Sequence, residues 1–407
     1  MPGRQIGSRM DSEGREIEMS DPLVSIVLTN YNGEKTIAEA IESVIMQTYP
    51  KWELIIVDDA STDSSLEIIR LFRDERIQLF RNERNEHVSF SHNKGNLHSK
   101  GKYIAALDND DTWEPEKLSR QVHYMELHPE TGVCFTFLDL MNSQGESLQD
   151  DEILNIYRVK NRNRIEWLHE LLTVGNHFAN DSSMIRRSVM DTIGENEMSL
   201  VQLHDYDMWV KIALQYELHI IQEPLMHYRR TNSKESITTL KKENVRRTAF
   251  EYHWIIGHTI LEMEDELFRQ VFAKELKKPE LTGYRATMCE KAILLCSDCL
   301  VEQCEEYGFQ LFTCLLQDPE CRMLLREQFG IRQQDIYRMT GSPIIFDRVV
   351  RTELEQLKRD AEELVKLNQN QIRLMENSFS WRITKPLRSG RGMVERLLRR
   401  FISKFGT

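Results

Sequence analysis

Asp108, Asp110 and Asp111 stand almost side by side at the end of the apolar run Tyr103 to Leu107, in the stretch YIAALDNDDTW. Carboxylates this close repel one another, so something must offset the cluster. An Asp-x-Asp at a strand end can hold a divalent cation through oxygen ligands. Mg²⁺ or Mn²⁺ keeps several waters and shares one or two carboxylates with substrate phosphates. Such a cation would relieve the repulsion between Asp108 and Asp110. Asp111 is placed to cap the helix that Glu114-Pro115 opens. The bland alternative is a solvated acidic turn, since short Asp-x-Asp runs arise by chance. Without a cation and a phosphate-bearing ligand the cluster is expected to be partly solvated.

The elements that carry these residues can be read from periodicity. Leu23 to Thr29 (LVSIVLT) is a short β-branched run, expected as a buried strand. Ile37, Ala40, Ile41, Val44 and Ile45 mark one face of a helix. Leu54 to Val57 is a second strand, ending in Asp58-Asp59. Asp63 stands at a capping position before Leu66, Ile69 and Phe72. Ile77 to Phe80 is a third strand, His87 to Ser99 is polar and partly helical, and Tyr103 to Leu107 is a fourth strand. This alternation predicts an α/β fold with a mostly parallel sheet covered by helices. Ligands of such sheets bind beyond the carboxyl ends of the strands. Three of those ends are polar here: Thr29-Asn30-Tyr31-Asn32, Asp58-Asp59 and Asp108-Asn109-Asp110. Their agreement is the first functional signal.

Downstream, HDYDMWVKIAL places Trp209, Ile212 and Ala213 at core spacing on a helix. Spacing alone makes Asp205 the N-cap of that helix. From about Thr239 strands give way to helical patterns up to about Met339. Tyr284 to Pro319 reads as a helical hairpin with Gly308 near its turn. Gly341-Ser342-Pro343 marks a boundary. Residues 344–378 carry a short a/d repeat, through Leu354, Leu357, Ala361 and Leu364, too brief for an assured coiled coil. Residues 1–21 read as a flexible leader without a signal-peptide core.

Bulk composition narrows the class. Apolar residues at 40% and charged residues at 29% describe a folded chain and not a disordered one. A net charge of −12 argues against general nucleic-acid binding. No apolar run approaches the roughly 18 residues of a membrane span. Seven cysteines fit a reducing cytoplasm, and Cys296, Cys299 and Cys304 lack the partner spacing of a zinc site. The last segment departs from the average. From Trp381 to Thr407 eight Lys/Arg face one acid, a net +7, which leaves −19 on the rest. With Val394, Leu397, Leu398, Phe401, Ile402 and Phe405 at helical spacing, this tail suits an anionic membrane face or the protein's own acidic body.

Four stretches in order resemble family-2 glycosyltransferases of the GT-A fold, over about Leu23 to Ile237. PLVSIVLTNYNGEKTIAEAIESVIMQTYPKWELIIVDDASTDSS is similar to the nucleotide-binding half, and GKYIAALDNDDTWEPEKL to the Asp-x-Asp segment. HDYDMWVKIAL is similar to the segment bearing the catalytic base, and EPLMHYRRTNSKESIT to the closing strand and loop. The ending SWRITKPLR resembles that of some bacterial cell-surface polysaccharide glycosyltransferases.

The resemblance implies roles residue by residue. Thr29, Tyr31, Asp59, Asn93, Asp108 and Asn109 would bind a nucleotide sugar, with Tyr31 against the base and Asp59 accepting from it. Asp110 and Asp108 would hold Mn²⁺ or Mg²⁺, and Asp205 would be the general base. Asp58, Asp207, Tyr228 and Arg230 would support them. Two positions depart from the family: His204 stands where an acid is common before the base, and His92 where an Arg commonly precedes Asn93. The implied activity is inverting transfer from a nucleotide sugar, UDP-linked by preference, to a hydroxyl of a glycan or lipid-linked acceptor. The implied place is the cytoplasm, peripheral to the membrane. Two alternatives remain open: a haloacid-dehalogenase-like phosphatase, which DNDDTW superficially fits, and a catalytically silent GT-A scaffold with a helical binding module.

Overall fold

The computed structural model describes residues 9–10, 16–17, 21–230, 242–302 and 304–340. The heptad segment 344–378 and the basic tail lie outside the described residues, as does most of the loop after Arg230. Within the leader, Arg9–Met10 pairs antiparallel with Glu16–Ile17.

The first half alternates strands and helices. Strand β1 (Val24–Asn30) is followed by α1 (Ile37–Ile45), β2 (Trp52–Asp58), α2 (Ser65–Ile69), β3 (Ile77–Arg81), α3 (His87–His98) and β4 (Tyr103–Asp108). Every residue of β1 and β2 is buried, as unbroken apolar runs in a two-sided sheet require. Four of the five face residues of α1 are buried, whereas Ile45 is exposed. Asp63 Oδ1 accepts from the Ser65 amide at 3.0 Å, and its Oδ2 accepts from the Glu34 amide at 2.9 Å. It therefore ties α2 to the loop before α1. Those hydrogen bonds outweigh burial and lower its pKa.

A second group follows: β5 (Thr112–Trp113), α4 (Lys117–Leu127), β6 (Thr131–Met141), β7 (Ser147–Leu148), α5 (Asp151–Tyr157), α6 (Arg164–Thr173), β8 (Met184–Arg186), α7 (Arg187–Ile193), α8 (His204–Ala213) and β9 (Glu217–Arg229). The sheet order is β3-β2-β1-β4-β8-β6-β9-β5, with β7 on β6. Strands β3, β2, β1 and β4 run parallel, and β9 is parallel to β6. Strand β8 is antiparallel to both β4 and β6. The fold is thus the mostly parallel α/β sheet expected. The chain order reverses between β1 and β4, which opens a crevice at their carboxyl ends.

Helices α9 (Lys242–Glu262), α10 (Asp265–Val271), α11 (Tyr284–Leu295), α12 (Glu305–Leu315), α13 (Pro319–Glu327) and α14 (Gln333–Thr340) complete the described chain. One hydrophobic core joins Trp167 and Trp209, below the sheet, to Ile255, Phe268, Cys289 and Phe312 of these helices. Gly308 lies inside α12 and not at the hairpin turn. A Cβ there would stand 2.5 Å from Cys296 Sγ, so its smallness lets α11 and α12 meet. Cys304 is fully buried, and Cys296 and Cys299 pack against the same core, as small apolar side chains do.

Candidate active site

Parallel register brings the three polar strand ends together. Thr29 pairs with Asp108 across β1 and β4, and Asn30 with Asp58 across β1 and β2. Side-chain bonds then cross-link the ends. Thr29 Oγ1 donates to Asp108 Oδ1 at 2.8 Å, and Asn30 Nδ2 to Asp58 Oδ1 at 2.8 Å. Asn109 Nδ2 donates to Asn30 Oδ1 at 2.8 Å. Asp58 is buried and accepts from the Ser61 amide at 3.1 Å, so it shapes the loop after β2. Tyr31 stands 49% exposed beside this network, its ring open to a ligand. Asp59 is buried and turns toward the loop before α3: its Oδ1 accepts from Asn82 Nδ2 at 2.8 Å and from the Glu86 amide at 2.9 Å.

The three clustered aspartates occupy different environments. Asp108 borders the crevice, with His92 Nε2 4.0 Å from its Oδ1. Burial, then the neighbouring Asp108 charge, pushes the Asp110 carboxyl up to about 6. Asp111 is buried and does not cap a helix, since α4 starts at Lys117 without a side-chain cap. Its Oδ1 instead accepts the Arg229 amide at 2.8 Å, fixing the acidic loop to the end of β9. Asp108 and Asp110 stay partly exposed while Asp111 is buried, so the cluster is partly solvated, as expected. The Asp111 carboxyl adjoins that of Asp181, also buried, and burial raises both well above the usual carboxylate range.

Arg229, which carried no signal in the sequence, braces this loop. It is 4% exposed. Its Nε donates to the Asp110 carbonyl at 2.7 Å, its Nη1 to the Asn142 carbonyl at 3.2 Å, and its Nη2 pairs with Glu39. The alternation of a strand explains why its flanking residues differ from it. Tyr228 is half-buried, with its hydroxyl raised by burial and by Asp111, and Arg230 is exposed.

Asp205 lies in the first turn of α8, two residues past the N-cap, which is Leu203 and not Asp205 as spacing suggested. Its Oδ1 accepts from the Tyr206 amide at 2.7 Å and its Oδ2 from Asn176 Nδ2 at 3.3 Å. Burial raises its pKa, opposed by His204. The His204 ring lies 5.9 Å from that of His92, and burial holds His92 neutral, with a pKa of about 3. Both ring nitrogens of His204 are buried without a hydrogen-bond partner. His92, Asn180, Asp205 and Trp209 line a cavity of about 30 Å³, room for water. Asp207 turns away and pairs with Lys211 at 2.7 Å. Asn93 spends both amide ends on Asn196, donating to its carbonyl at 2.9 Å and accepting from its amide at 2.9 Å.

Among the described residues no group of three or more His, Cys, Asp or Glu side chains encloses a metal position. Asp108 and Asp110 supply two carboxylates beside an open crevice. That donor set suits a Mg²⁺ or Mn²⁺ shared with substrate phosphates, and does not suit a closed structural site.

Residues 25–194 match the model of glycosyl transferase family 2. The uncharacterized glycosyltransferase MJ1057 of Methanocaldococcus jannaschii is 33% identical over 246 residues, covering 59% of this chain and 81% of that protein. TuaG of Bacillus subtilis, a glycosyltransferase named for teichuronic acid biosynthesis, is 37% identical over 129 residues, 31% of this chain and 51% of TuaG. The Escherichia coli enzyme WfgD, named UDP-Glc:alpha-D-GlcNAc-diphosphoundecaprenol beta-1,3-glucosyltransferase, is 41% identical over 107 residues, 26% of this chain and 42% of WfgD. The last two matches thus span about half or less of those relatives. In fold, the chain is similar to S. aureus TarS residues 1–349, crystallised with UDP-GlcNAc, at TM-score 0.51 and 16% identity over 78% of this chain and 89% of that one. The phosphatase alternative finds no support in these likenesses. The chain belongs to glycosyltransferase family 2, and it is a glycosyltransferase.

Proposed function

We propose that this enzyme is an inverting, divalent-metal-dependent transferase that moves a sugar from a nucleotide sugar, UDP-linked by preference, to a hydroxyl of a glycan or lipid-linked acceptor in cell-surface polysaccharide synthesis. The observation that carries the reading is the bonded network at the ends of β1, β2 and β4, with Asp205 close enough to raise the pKa of Asp108. The names of WfgD and the similarly matching WfaP support a UDP-sugar donor and a diphosphate-lipid acceptor.

In this reading Thr29, Tyr31, Asp59, Asp108 and Asn109 bind the donor. Asp110 and Asp108 are the ligands for Mn²⁺ or Mg²⁺, which when bound stabilises the diphosphate leaving group as a Lewis acid. Asp205 takes the proton of the attacking acceptor hydroxyl, and its burial-raised pKa suits a base. One base is enough for direct displacement, and direct displacement inverts the anomeric carbon. Asn176 orients that carboxylate. Asp58, Asn93 and Asp207 act through the backbone and through neighbouring side chains, and Tyr228 and Arg230 flank the acceptor side. Residues 22–238 form the transferase domain and 239–343 the helical region. No described helix is long and apolar enough to cross a membrane. The basic tail is assigned to peripheral contact with an anionic cytoplasmic membrane face.

The test is a thermal-stabilisation panel of UDP-glucose, UDP-GlcNAc and GDP-mannose, each with Mn²⁺, followed by turnover of the stabilising donor. Asp110→Asn is expected to abolish the metal-dependent part of the shift. Asp205→Asn is expected to keep the shift and lose transfer by about 10²-fold or more. Transfer that survives both changes would refute the assignment. Binding without turnover in the unaltered chain would favour the silent scaffold.

A further inference from the structure

Helix α9 enters the structure just beyond the candidate site and is joined to it by a carboxylate. Glu251 is 2% exposed. Its Oε1 accepts from the Val201 amide at 2.9 Å, and its Oε2 accepts from the Gln202 and Leu203 amides, both at 2.8 Å. Three successive backbone donors therefore converge on one buried acid, and the next residues are His204 and Asp205. A buried carboxylate held by several amides fixes loop geometry, because releasing any of them leaves a buried polar group unsatisfied.

The other side of the same loop is also pinned. Asn93 holds Asn196 through three hydrogen bonds, and Ser89 Oγ donates to the Leu200 carbonyl at 2.9 Å. Residues 196–203 thus run between α3 and α9, and the start of α8 inherits its place from both. The next residue of α9, Tyr252, sets its ring edge-on to Tyr206 at a centroid distance of 4.8 Å. Its hydroxyl lies 3.6 Å from where a Cβ on Gly175 would stand, beside Asn176, the partner of Asp205. Tyr157 approaches from α5, and Asp205 adds to burial in raising both phenols to about 12. The Tyr252 phenol beside Gly175 and the Asn176 amide on Asp205 are groups that hydrogen-bond neutral hydroxyls.

We propose that α9 is part of the catalytic site: Glu251 is a positioning residue for the loop that carries Asp205, and Tyr252 is a specificity-determining residue for a polyhydroxylated acceptor. This rests on the reading of Asp205 as the general base. The helical region is then a working part of the site and not an appended module.

The test compares the full chain with Glu251→Gln, Glu251→Asp, Tyr252→Phe and Asp205→Asn. The probes are UDP-glucose with Mn²⁺, and water or a diphosphate-lipid-linked GlcNAc as acceptor. Glu251→Gln is expected to lower kcat by about tenfold or more, with donor KM within about twofold, and to shift the pH–rate profile. Glu251→Asp keeps the charge and is expected to recover part of the loss. Tyr252→Phe is expected to raise acceptor KM by about tenfold, with donor KM within about twofold. Hydrogen exchange needs no substrate: in Glu251→Gln the amides of 201–206 should exchange about tenfold faster, with those of β1 and β4 unchanged. Unchanged exchange at 201–206 overturns the proposal by itself. So does wild-type behaviour of the Glu251 and Tyr252 variants beside an inactive Asp205→Asn, or a donor KM that rises in step with the acceptor KM. Full activity in Asp205→Asn would instead remove the base assignment.

Discussion

Thr29 and Asp108 face each other at paired positions of β1 and β4, and the Thr29 hydroxyl donates to the Asp108 carboxylate at 2.8 Å. The bond selects one orientation of a carboxylate whose pKa is raised by burial. A hydrogen bond to a charged group contributes about 1.5–3 kcal/mol. Thr29→Val keeps the shape and removes the donor. It is expected to weaken Mn²⁺-dependent nucleotide binding by about tenfold, read by calorimetry, with the melting temperature lowered by only a few degrees.

Arg229 and Arg230 should behave in opposite ways. The buried Arg229 guanidinium holds the Asp110 and Asn142 carbonyls and pairs with the half-exposed Glu39, so Arg229→Ala is expected to cost about 1–3 kcal/mol in denaturant unfolding. Arg230 is exposed, and Arg230→Ala is expected to stay within about 0.5 kcal/mol while changing activity. Equal destabilisation by both changes would contradict the bracing role.

His92 predicts acid sensitivity. Its folded pKa, about 3, lies below the ordinary histidine value of 6.5, so below pH 6.5 the unfolded chain binds more protons. The stability this group contributes is present above 6.5 and is lost as pH falls toward 3, by about 1.4 kcal/mol per unit. Unfolding of His92→Asn followed from pH 7 to pH 4 should show a shallower decline than the parent chain. A parallel decline would mean that His92 is already protonated in the fold.

Gly33 tests the packing under the acidic loop. A Cβ at this position would stand 2.2 Å from Asn109 Nδ2 and 2.4 Å from Asn30 Oδ1, the two ends of one hydrogen bond. Gly33→Ala is expected to break that bond and to lower both stability, by about 1–3 kcal/mol, and nucleotide affinity. Gly194, whose added Cβ meets nothing within 4 Å, has a φ of +87°. Gly194→Ala should therefore cost stability through backbone strain and leave nucleotide affinity unchanged.

The polar crevice at the ends of β1, β2 and β4 was legible in the sequence, because its signals are local. Continuous apolar runs mark buried parallel strands, and polar residues at their ends mark the crevice. Chain connectivity then brings Thr29, Asp58 and Asp108 into neighbouring strands. The expectation that Asp111 caps a helix failed for the opposite reason. Its partner, the Arg229 amide, lies 118 residues away, and nothing in the intervening chain announces it. Arg229 reads as one more basic residue in a tripeptide, and only strand alternation decides that it is buried while Arg230 is exposed. Asn93 matched a nucleotide-binding motif, yet its amide is committed to Asn196, 103 residues on.

The sequence by itself determined the strand–helix alternation, the three polar strand ends and the helical character of residues 242–340, since each depends on periodicity within a few residues. Only the tertiary structure decided which carboxylates are exposed, which are braced and which helix supports Asp205. Burial and hydrogen-bond partnership are set by contacts between distant segments, such as Glu251 with residues 201–203, and residue spacing along the chain carries no record of them.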